Sequence, residues 1–345
     1  MTFSKKEISK AGLLILSSKS IEARNTALEK INEWRANHLH PLNVMKNALL
    51  RITEKQNIEP ILVSQRLKRL TSIEYKLDLN ESMGLGGMQD IGGFRAVLKD
   101  TKDLAKLKKI LDKNKLNHKL KRVVDYVERP KESGYRSVHF IYIYNSKIDK
   151  YQGLLLELQI RTKLQHNWAT AVETAGILTK TSLKSSQGPD EWLDFFKIVS
   201  SLFAIKEKLP VLKEHSERTM ENLMVECYNF TKKLNIIPIL KALRISARQI
   251  EIDNYIGDYY IININIKEMF VNITTFKKTQ FEEATDEYLE LEKSIEESEN
   301  AVVLVSSISM KSLKKAYPSY FLDTSEFIAA LEKMNQNCKD WNLVK

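Results

Sequence analysis

Cysteine is scarce in this chain. Its 345 residues include two, Cys227 and Cys338, and neither belongs to a Cys-x-x-Cys pair. No histidine lies next to either of them at the spacing of metal ligands. The sequence therefore argues against a disulfide framework or a zinc site, and it favours two ordinary thiols in a reducing compartment.

Long hydrophobic runs are missing as well. No apolar stretch is long enough to span a bilayer, and residues 13–17 are too few for the apolar part of a secretory signal. The chain is long enough for two domains. Its 43% of hydrophobic and 28% of charged residues are typical of soluble globular proteins. We therefore expect a cytoplasmic protein with no membrane partner.

Negative charge is in deficit. The 44 acidic residues are outnumbered by 54 lysines and arginines, which gives a formal net charge of +10. An excess of positive charge favours a polyanionic ligand, such as a nucleoside triphosphate or a nucleic acid. A lysine-rich surface without such a partner accounts for the charge equally well, so the motifs have to decide.

Glycine is sparse overall, with 11 residues, yet five of them fall within ten positions. The cluster consists of Gly84, Gly86, Gly87, Gly92 and Gly93. Such density predicts backbone that turns sharply or approaches a ligand closely.

The hydrophobic pattern predicts an α+β fold in which helices flank a mixed sheet. Residues 1–40 form a helical segment by their period, and residues 41–180 combine helices with strands. The predicted strands are 61–64, 94–98, 118–126, 137–144 and 153–160, and the predicted helices are 42–55, 71–79, 104–111 and 162–179.

A polar segment, SLKSSQGPD at residues 182–190, predicts a linker between domains. Beyond it, residues 190–345 have a helical pattern to about residue 248. A small β-β-α-β-α unit is predicted to follow, with strands at 259–266, 269–276 and 301–306, a charged helix at 281–297 and a helical tail.

Two carboxylates stand out because of their places in predicted strands. Asp90 precedes two glycines and a strand, which puts a carboxylate at the edge of the sheet. Glu157 lies in the apolar run LLLELQI, where alternation places it on one face with Gln159 and Arg161. Carboxylates on separate strands can share Mg²⁺, and Glu157 can also act as general base for a hydroxyl nucleophile. A turn aspartate and a solvated strand face are the alternatives.

The segment around Gly134 combines cations with aromatic rings. Alternation after the glycine places Tyr135 and His139 on one face, near Lys131. A ring with nearby cations suits a stacked base and bound phosphates. An ordinary hairpin loop is the alternative.

A second basic segment surrounds a predicted helix start. Arg66 and Lys68 precede the helix and Lys76 lies on it. A helix start with basic residues is a natural anion site. Taken alone, the segment fits a solvated basic face better.

Taken together and in order, these segments resemble the synthetase domain of the RelA/SpoT family. Four family patterns are present within about a hundred residues. The matching residues are Arg66, Lys68, Ser72, Ile73 and Lys76; Asp90, Gly93 and Arg95; Asp125, Tyr126, Pro130, Lys131, Gly134, Tyr135, Ser137 and His139; and Glu157, Gln159, Arg161 and Thr162.

The resemblance implies an ATP:nucleotide 3′-pyrophosphokinase of the GTP diphosphokinase kind. Such an enzyme transfers pyrophosphate from ATP to the ribose 3′-hydroxyl of GDP or GTP and makes the alarmone (p)ppGpp of the stringent response. The resemblance further implies that Asp90 and Glu157 bind Mg²⁺, with Glu157 as the candidate base. Phosphoryl-type transfer needs mainly positioning and charge neutralisation, which such a site supplies.

Substrate contacts also follow from the resemblance. On the ATP side it implies Arg66 and Arg95 at the adenine and Lys68 and Lys76 at the phosphates. On the acceptor side it implies Lys131, Tyr135, His139, Gln159 and Arg161, with Tyr135 stacking the base. Arg122 is a weaker candidate for a phosphate contact, because it lies three residues before Asp125 and not next to it.

None of the six histidines is followed by Asp, whereas long family members carry a hydrolase domain with an adjacent His-Asp pair. The resemblance is therefore to the short, single-function synthetases. A relative that pyrophosphorylates the 3′ end of tRNA or makes (p)ppApp is an alternative, as is a non-enzymatic binding protein on the same fold. The intact carboxylate pair argues against the last.

Residues 190–345 carry no second carboxylate pair or phosphate loop, and we expect them to regulate the enzyme by self-inhibition or in a homo-oligomer. Tyr317 and Tyr320 fit either aromatic packing or a docking segment. The rival interpretation is that the region completes the core, because apolar residues such as Phe195, Phe196 and Phe203 must be buried somewhere.

Overall fold

The computed structural model describes residues 3–80, 82–113, 116–179, 183, 187–241, 257–265, 270–294, 301–306 and 324–344. Three predicted features lie at least partly outside these ranges. They are Tyr317 and Tyr320, part of the segment 182–190, and the end of the predicted helical pattern, before residue 256. None of the helices in the described part of the chain combines the length and apolarity that a membrane span requires.

Three helices open the chain: α1 (Lys5–Ser17), α2 (Ile21–Ala36) and α3 (Leu39–Lys55). The first begins with a capping box, in which the Ser4 and Glu7 side chains each bond the other's backbone N–H. Helix α3 starts two residues before the boundary at residue 41 that the sequence suggested. Its buried face, including Leu42, Met45 and Leu49, packs beneath the sheet.

The central part of the chain forms a mixed five-stranded sheet flanked by helices, which confirms the predicted α+β class. The strands run in the spatial order β3-β4-β5-β2-β1, and β2 and β5 are parallel while the other neighbours are antiparallel. The elements are β1 (Leu62–Leu67), α4 (Leu70–Asp78), β2 (Gly92–Leu98), α5 (Thr101–Asp112), β3 (Lys119–Asp125), β4 (Val138–Ile143), β5 (Leu155–Thr162) and α6 (Lys163–Thr179).

The rest of the described chain adds helices and three more strands. These elements are α7 (Asp190–Glu207), α8 (Met220–Lys233), β6 (Tyr259–Asn265), β7 (Phe270–Phe276), α9 (Phe281–Ser294), β8 (Ala301–Ser306) and α10 (Ser325–Asp340). Strand β8 pairs antiparallel with β1, with Arg66 opposite Val305. The order β3-β4-β5-β2-β1-β8-β6-β7 is therefore one continuous sheet of eight strands.

The described residues beyond 190 contribute to two separate hydrophobic cores. Strands β6 and β8 and helix α9 contribute to the sheet core, whose buried members include Leu42, Phe94, Phe140, Leu158, Tyr288 and Leu304. Helices α6, α7, α8 and α10 form a helical core that includes Tyr135, Trp168, Phe195, Phe196, Leu223, Cys227, Phe327 and Cys338. Residues 190–345, which the sequence analysis treated as one region, thus pack in two places.

Helix α7 also fixes the loop that leads into β4. Gly134 has a φ of +89°, which favours glycine, and a Cβ built there would lie 2.9 Å from the Cβ of Ser200. The Ser200 hydroxyl donates to the Gly134 carbonyl at 2.6 Å. The loop that carries Tyr135 is therefore packed directly against the helix that follows the predicted linker.

A variant truncated after Ser186 tests what this packing contributes. It loses the partners of Trp168 and Val172 in the helical core, and it leaves β1 with an unpaired edge where β8 belongs. We expect an insoluble product, or one without a cooperative thermal transition by circular dichroism, while the full chain shows one. A soluble, cooperatively folded and active product would contradict this and support the regulatory interpretation.

Candidate functional site

One face of the sheet collects most of the polar residues that the motifs singled out. Residues opposite each other in register share a face, and Arg66, Gly93 and Glu157 form one such row across β1, β2 and β5. Arg95 and Gln159 lie opposite each other one row further along. The sequence-predicted face of β5 is thus continued across the neighbouring strands.

A cleft that is open to solvent lies over these rows. Six of the predicted site residues line it, together with four neighbours. The lining residues are Ser64, Gln65, Arg66, Lys68, Asp90, Gly93, Phe94, Arg95, Glu157 and Gln159.

Gly93 leaves the floor of the cleft open. A Cβ built there would meet nothing nearer than the carbonyl oxygens of Arg66 and Glu157, each 4.0 Å away. The glycine is therefore not required by crowding around the backbone. Its effect is to leave room between an arginine on β1 and a carboxylate on β5.

Asp90, just before β2, is held by two lysines. Lys68 Nζ lies 2.8 Å from one carboxylate oxygen and Lys76 Nζ lies 3.0 Å from the other. Burial alone would raise the pKa of Asp90, but the two ammonium groups outweigh it and lower that pKa to about 2. Asp90 is therefore ionised at neutral pH, with both oxygens engaged.

The negative charge of Glu157 is stabilised by two other neighbours. His139 Nδ1 lies 2.9 Å from one carboxylate oxygen, and the Gln159 amide donates to the other at 2.6 Å. Burial alone would raise the pKa of Glu157, and the charge of Asp90 acts in the same direction, but His139 and Gln159 lower it overall. The two carboxylates are near enough to influence each other's ionisation.

The carboxylate pair fits a divalent cation chemically. Mg²⁺ takes one or two protein carboxylates and completes its octahedron with waters and substrate phosphates. Asp90, just before β2, and Glu157, on the parallel neighbour β5, are both ionised and line the cleft above Gly93. Among the described residues, no group of three or more His, Cys, Asp or Glu side chains is placed to hold a metal ion.

Comparison with known proteins assigns this segment to a family. Residues 65–182 match a family model described as a region found in RelA/SpoT proteins. The chain carries a RelA/SpoT domain. The matched segment contains every residue of the cleft lining except Ser64.

Individual relatives agree over parts of this RelA/SpoT domain. A probable chloroplastic GTP diphosphokinase of Arabidopsis thaliana, RSH3, is 34% identical over 115 residues, which are 33% of this chain and 15% of that protein. The GTP pyrophosphokinase YjbM of Bacillus subtilis is 36% identical over 84 residues, 24% of this chain and 39% of that protein. The matches thus span less than half of the length of either relative.

Among solved structures, the small alarmone synthetase 1 of Bacillus subtilis bound to its product pppGpp is 25% identical. The superposition covers 52% of this chain and 92% of that protein, with a TM-score of 0.44.

Three of the residues predicted to bind the acceptor, Lys131, Tyr135 and His139, lie close together beside the cleft. The Tyr135 hydroxyl lies 2.9 Å from His139 Nε2. Lys131 Nζ lies 4.9 Å from the ring centre of Tyr126 and 5.6 Å from that of Tyr135. Tyr126, which belongs to the same family pattern but has no role predicted from the sequence, packs edge-on against His139 at 5.2 Å.

Tyr135 is 3% exposed and belongs to the helical core. Its ring, predicted to stack the acceptor base, is covered in this structure. Stacking at this ring therefore requires the covering side chains to move. The assignment of Tyr135 to the acceptor base stays a prediction.

Arg161 and Arg122 lie away from the cleft lining. Arg161 is 1% exposed and contacts Nδ1 of His166, while its Nε and one Nη have no hydrogen-bond partner among the described residues. Burial, with the nearby charge of Arg95, lowers the pKa of Arg161 to about 9. Arg122, on strand β3, donates a hydrogen bond to the Gln89 side chain at 2.9 Å. Their acceptor roles stay predictions.

Sequence reasoning missed the support beneath Lys68. Arg35 on α2 is fully buried and its guanidinium donates to the Lys68 carbonyl, to Tyr288 and to Glu292. The sequence signal was a charged residue beside Ile31 and Trp34 on the buried face of a helix. The pattern gives no means of pairing it with a glutamate 257 positions away.

The charge state of His139 yields a prediction about pH. Burial alone would lower the pKa of His139, but Tyr135 and Glu157 raise it from 6.5 to about 9. A pKa that is raised by folding adds stability that is complete below pH 6.5 and is lost as the pH rises through about 9. The stability difference between wild type and His139→Gln, from urea unfolding, should therefore fall by up to about 3 kcal/mol across that window.

His118→Gln is the matched control, because burial lowers the pKa of His118. The stability that His118 contributes should therefore decrease as the pH falls, whereas the stability that His139 contributes should increase. A His139→Gln difference that stays constant from below pH 6.5 to above pH 9 would contradict the raised pKa.

Proposed function

We propose that the RelA/SpoT domain transfers pyrophosphate from ATP to the 3′-hydroxyl of GDP or GTP and so makes (p)ppGpp. The observation that carries the proposal is the pair of ionised carboxylates, Asp90 and Glu157, that borders a cleft lined by Arg66, Arg95 and Lys68. The matches to GTP diphosphokinases support it over part of the chain.

In this proposal ATP occupies the β1–β2 side of the cleft. Arg66 and Arg95 flank the open space above Gly93, and their planar guanidinium groups suit stacking on the adenine ring. Lys68 and Lys76 are the phosphate ligands. Both already hold an anion, the carboxylate of Asp90, and they would exchange part of that contact for phosphate oxygens.

Asp90 and Glu157 are the proposed ligands of Mg²⁺. When bound, the ion neutralises charge on the transferred phosphates and on the leaving group. Lys68 and Lys76, which contact Asp90 in this structure, would hold the polyphosphate. Such an exchange of partners would keep the local charge balanced.

The acceptor is proposed to enter from the β4 side. Its 3′-oxygen attacks the β-phosphorus of ATP, the bond from that phosphorus to the α–β bridging oxygen breaks, and AMP leaves. Glu157 takes the 3′-hydroxyl proton, and His139 and Gln159, bonded to its two oxygens, orient it. Lys131, Tyr135 and Arg161 complete the proposed acceptor side, with Arg122 as an outer phosphate contact.

A tRNA 3′ end or an adenine nucleotide stays an open acceptor, because the net charge of +10 favours a polyanion without specifying which. Self-inhibition and homo-oligomer formation also stay proposals. Purified protein incubated with labelled ATP and, in parallel, GDP, GTP, ATP and deacylated tRNA decides between the acceptors. Labelled product from tRNA alone would refute (p)ppGpp synthesis as the activity.

Asp90→Asn and Glu157→Gln test the catalytic pair. Each removes one negative charge at the proposed metal site, and Glu157→Gln also removes the base. We expect the transfer rate at saturating Mg²⁺ to fall at least roughly a hundredfold in each, with native circular dichroism. Glu332→Gln on α10, an exposed carboxylate outside the cleft, is the control and should keep the wild-type rate. Near-normal turnover of either cleft variant would overturn the assignment.

Gly93→Val tests the space above the floor of the cleft. A Cβ added there meets only two carbonyl oxygens, each 4.0 Å away, and valine suits a strand, so we expect the fold to persist. The isopropyl group would enter the ATP side and weaken ATP binding roughly ten- to hundredfold by calorimetry. Gly87→Ala, which also has open space but lies outside the cleft lining, should bind ATP normally. Unchanged ATP affinity in Gly93→Val would place the nucleotide elsewhere.

A further inference from the structure

The turn between β1 and α4 is held by residues that are remote in sequence. It contains Lys68, which reaches Asp90, and it leads into the helix that carries Lys76. Arg35 donates from Nε and Nη2 to the Lys68 carbonyl at 3.1 and 2.9 Å. Glu292 accepts the backbone N–H of Leu70 at 2.8 Å. Two side chains thus bind the peptide backbone on either side of residue 69.

Arg35 and Glu292 also bind each other in a closed network. The guanidinium donates to the two Glu292 oxygens at 2.5 and 3.1 Å and to the Tyr288 hydroxyl at 2.6 Å. Tyr288 in turn donates to Glu292 at 3.0 Å. Arg35 and Tyr288 are 0% exposed and Glu292 is 5% exposed. The network is therefore closed to water, and its geometry is fixed by charge-assisted bonds.

Glu292 substitutes for a local helix cap. Arg69 occupies the cap position of α4 and its side chain makes no capping bond. The first backbone N–H of α4, that of Leu70, bonds to a carboxylate from α9 instead. A negative charge at a helix N-terminus is favourable because of the unpaired N–H groups there. The start of α4, and with it the direction in which Lys76 points, thus depends on the β6–β8 unit, which consists of β6, β7, α9 and β8.

We propose that Arg35 and Glu292 are positioning residues that set the two ATP-phosphate lysines, so that the β6–β8 unit is part of the donor site. This inference rests on the proposed function. It is independent of simple core packing, because both contacts end on the backbone of the Lys68–Leu70 turn. Strand β8 adds a third contact, since Val305 lies opposite Arg66.

The test separates positioning from stability. The double variant with Arg35→Met and Glu292→Leu keeps buried volume and leaves no unpaired charge, a replacement that a fold commonly tolerates. It removes both side-chain hydrogen bonds to the backbone of the turn. We expect the KM for ATP to rise roughly tenfold while the KM for GDP stays within about twofold. Amide exchange measured by mass spectrometry should become faster in residues 66–73.

Two controls match this variant. Tyr288→Phe removes a hydroxyl from the same network but leaves both contacts to the turn, and its KM for ATP should stay unchanged. Leu331→Ala in the helical core lowers stability at a residue that is 0% exposed and belongs to the other core. It should lower the melting temperature without moving the KM for ATP.

A double variant with wild-type KM for ATP and wild-type exchange in residues 66–73 would overturn the positioning role. If the double variant does not fold, Glu292→Gln decides by the same two readouts. If the wild-type chain neither binds ATP nor transfers pyrophosphate, the proposed function fails instead. The exchange measurement needs no nucleotide and still decides whether the network holds the turn.

Discussion

Asp90 and Glu157 place two negative charges at the cleft, where Glu157 is 8% exposed and the Asp90 side chain is 22% exposed, and this burial constrains the side chains around them. An unpaired buried carboxylate is strongly unfavourable, so each one needs a cation of its own. Lys68 and Lys76 serve Asp90, and His139 serves Glu157. The cations that the proposed chemistry requires are therefore also required by the fold. A substrate phosphate or a metal ion would bind where opposite charges are already paired, so it would replace an existing ion pair.

Much of this site could be predicted from the sequence because the patterns that place its residues are local. Alternation along β5 places Glu157 and Gln159 on one face, and Gly93 at the start of β2 marks the open floor. Strand β8 has the bounds that were predicted for it, 301–306, and its run AVVLVS is apolar on both faces, which is typical of a strand whose two faces are covered. Period and composition reveal which faces are buried, and that is enough when the partner lies nearby in sequence.

The parts that escaped prediction involve distant partners. Nothing in AVVLVS indicates that it pairs with β1, more than 230 positions earlier. Phe195 and Phe196 showed that α7 must be buried, but not that it would pack over the loop of Tyr135. The salt bridge between Arg35 and Glu292 joins two helices, and each residue alone looks like a charge on an amphipathic surface. A hydrophobic pattern says that a face is covered, and it does not say by what.

These distant contacts change how the residues beyond 190 should be understood. A chain of interactions runs from Asp90 through Lys68 and its carbonyl to Arg35 and then to Glu292 on α9. Every link is a charge-assisted bond or a backbone held by one, and most of it is buried. A ligand or partner that shifted α9 would act on Lys68 and Lys76, the proposed ATP-phosphate ligands, without touching the cleft. The reason is that the turn has two backbone anchors and both depend on the Arg35–Glu292 pair. Core completion and regulation are then not rival roles for the β6–β8 unit, since the same bonds that complete the fold also reach the site.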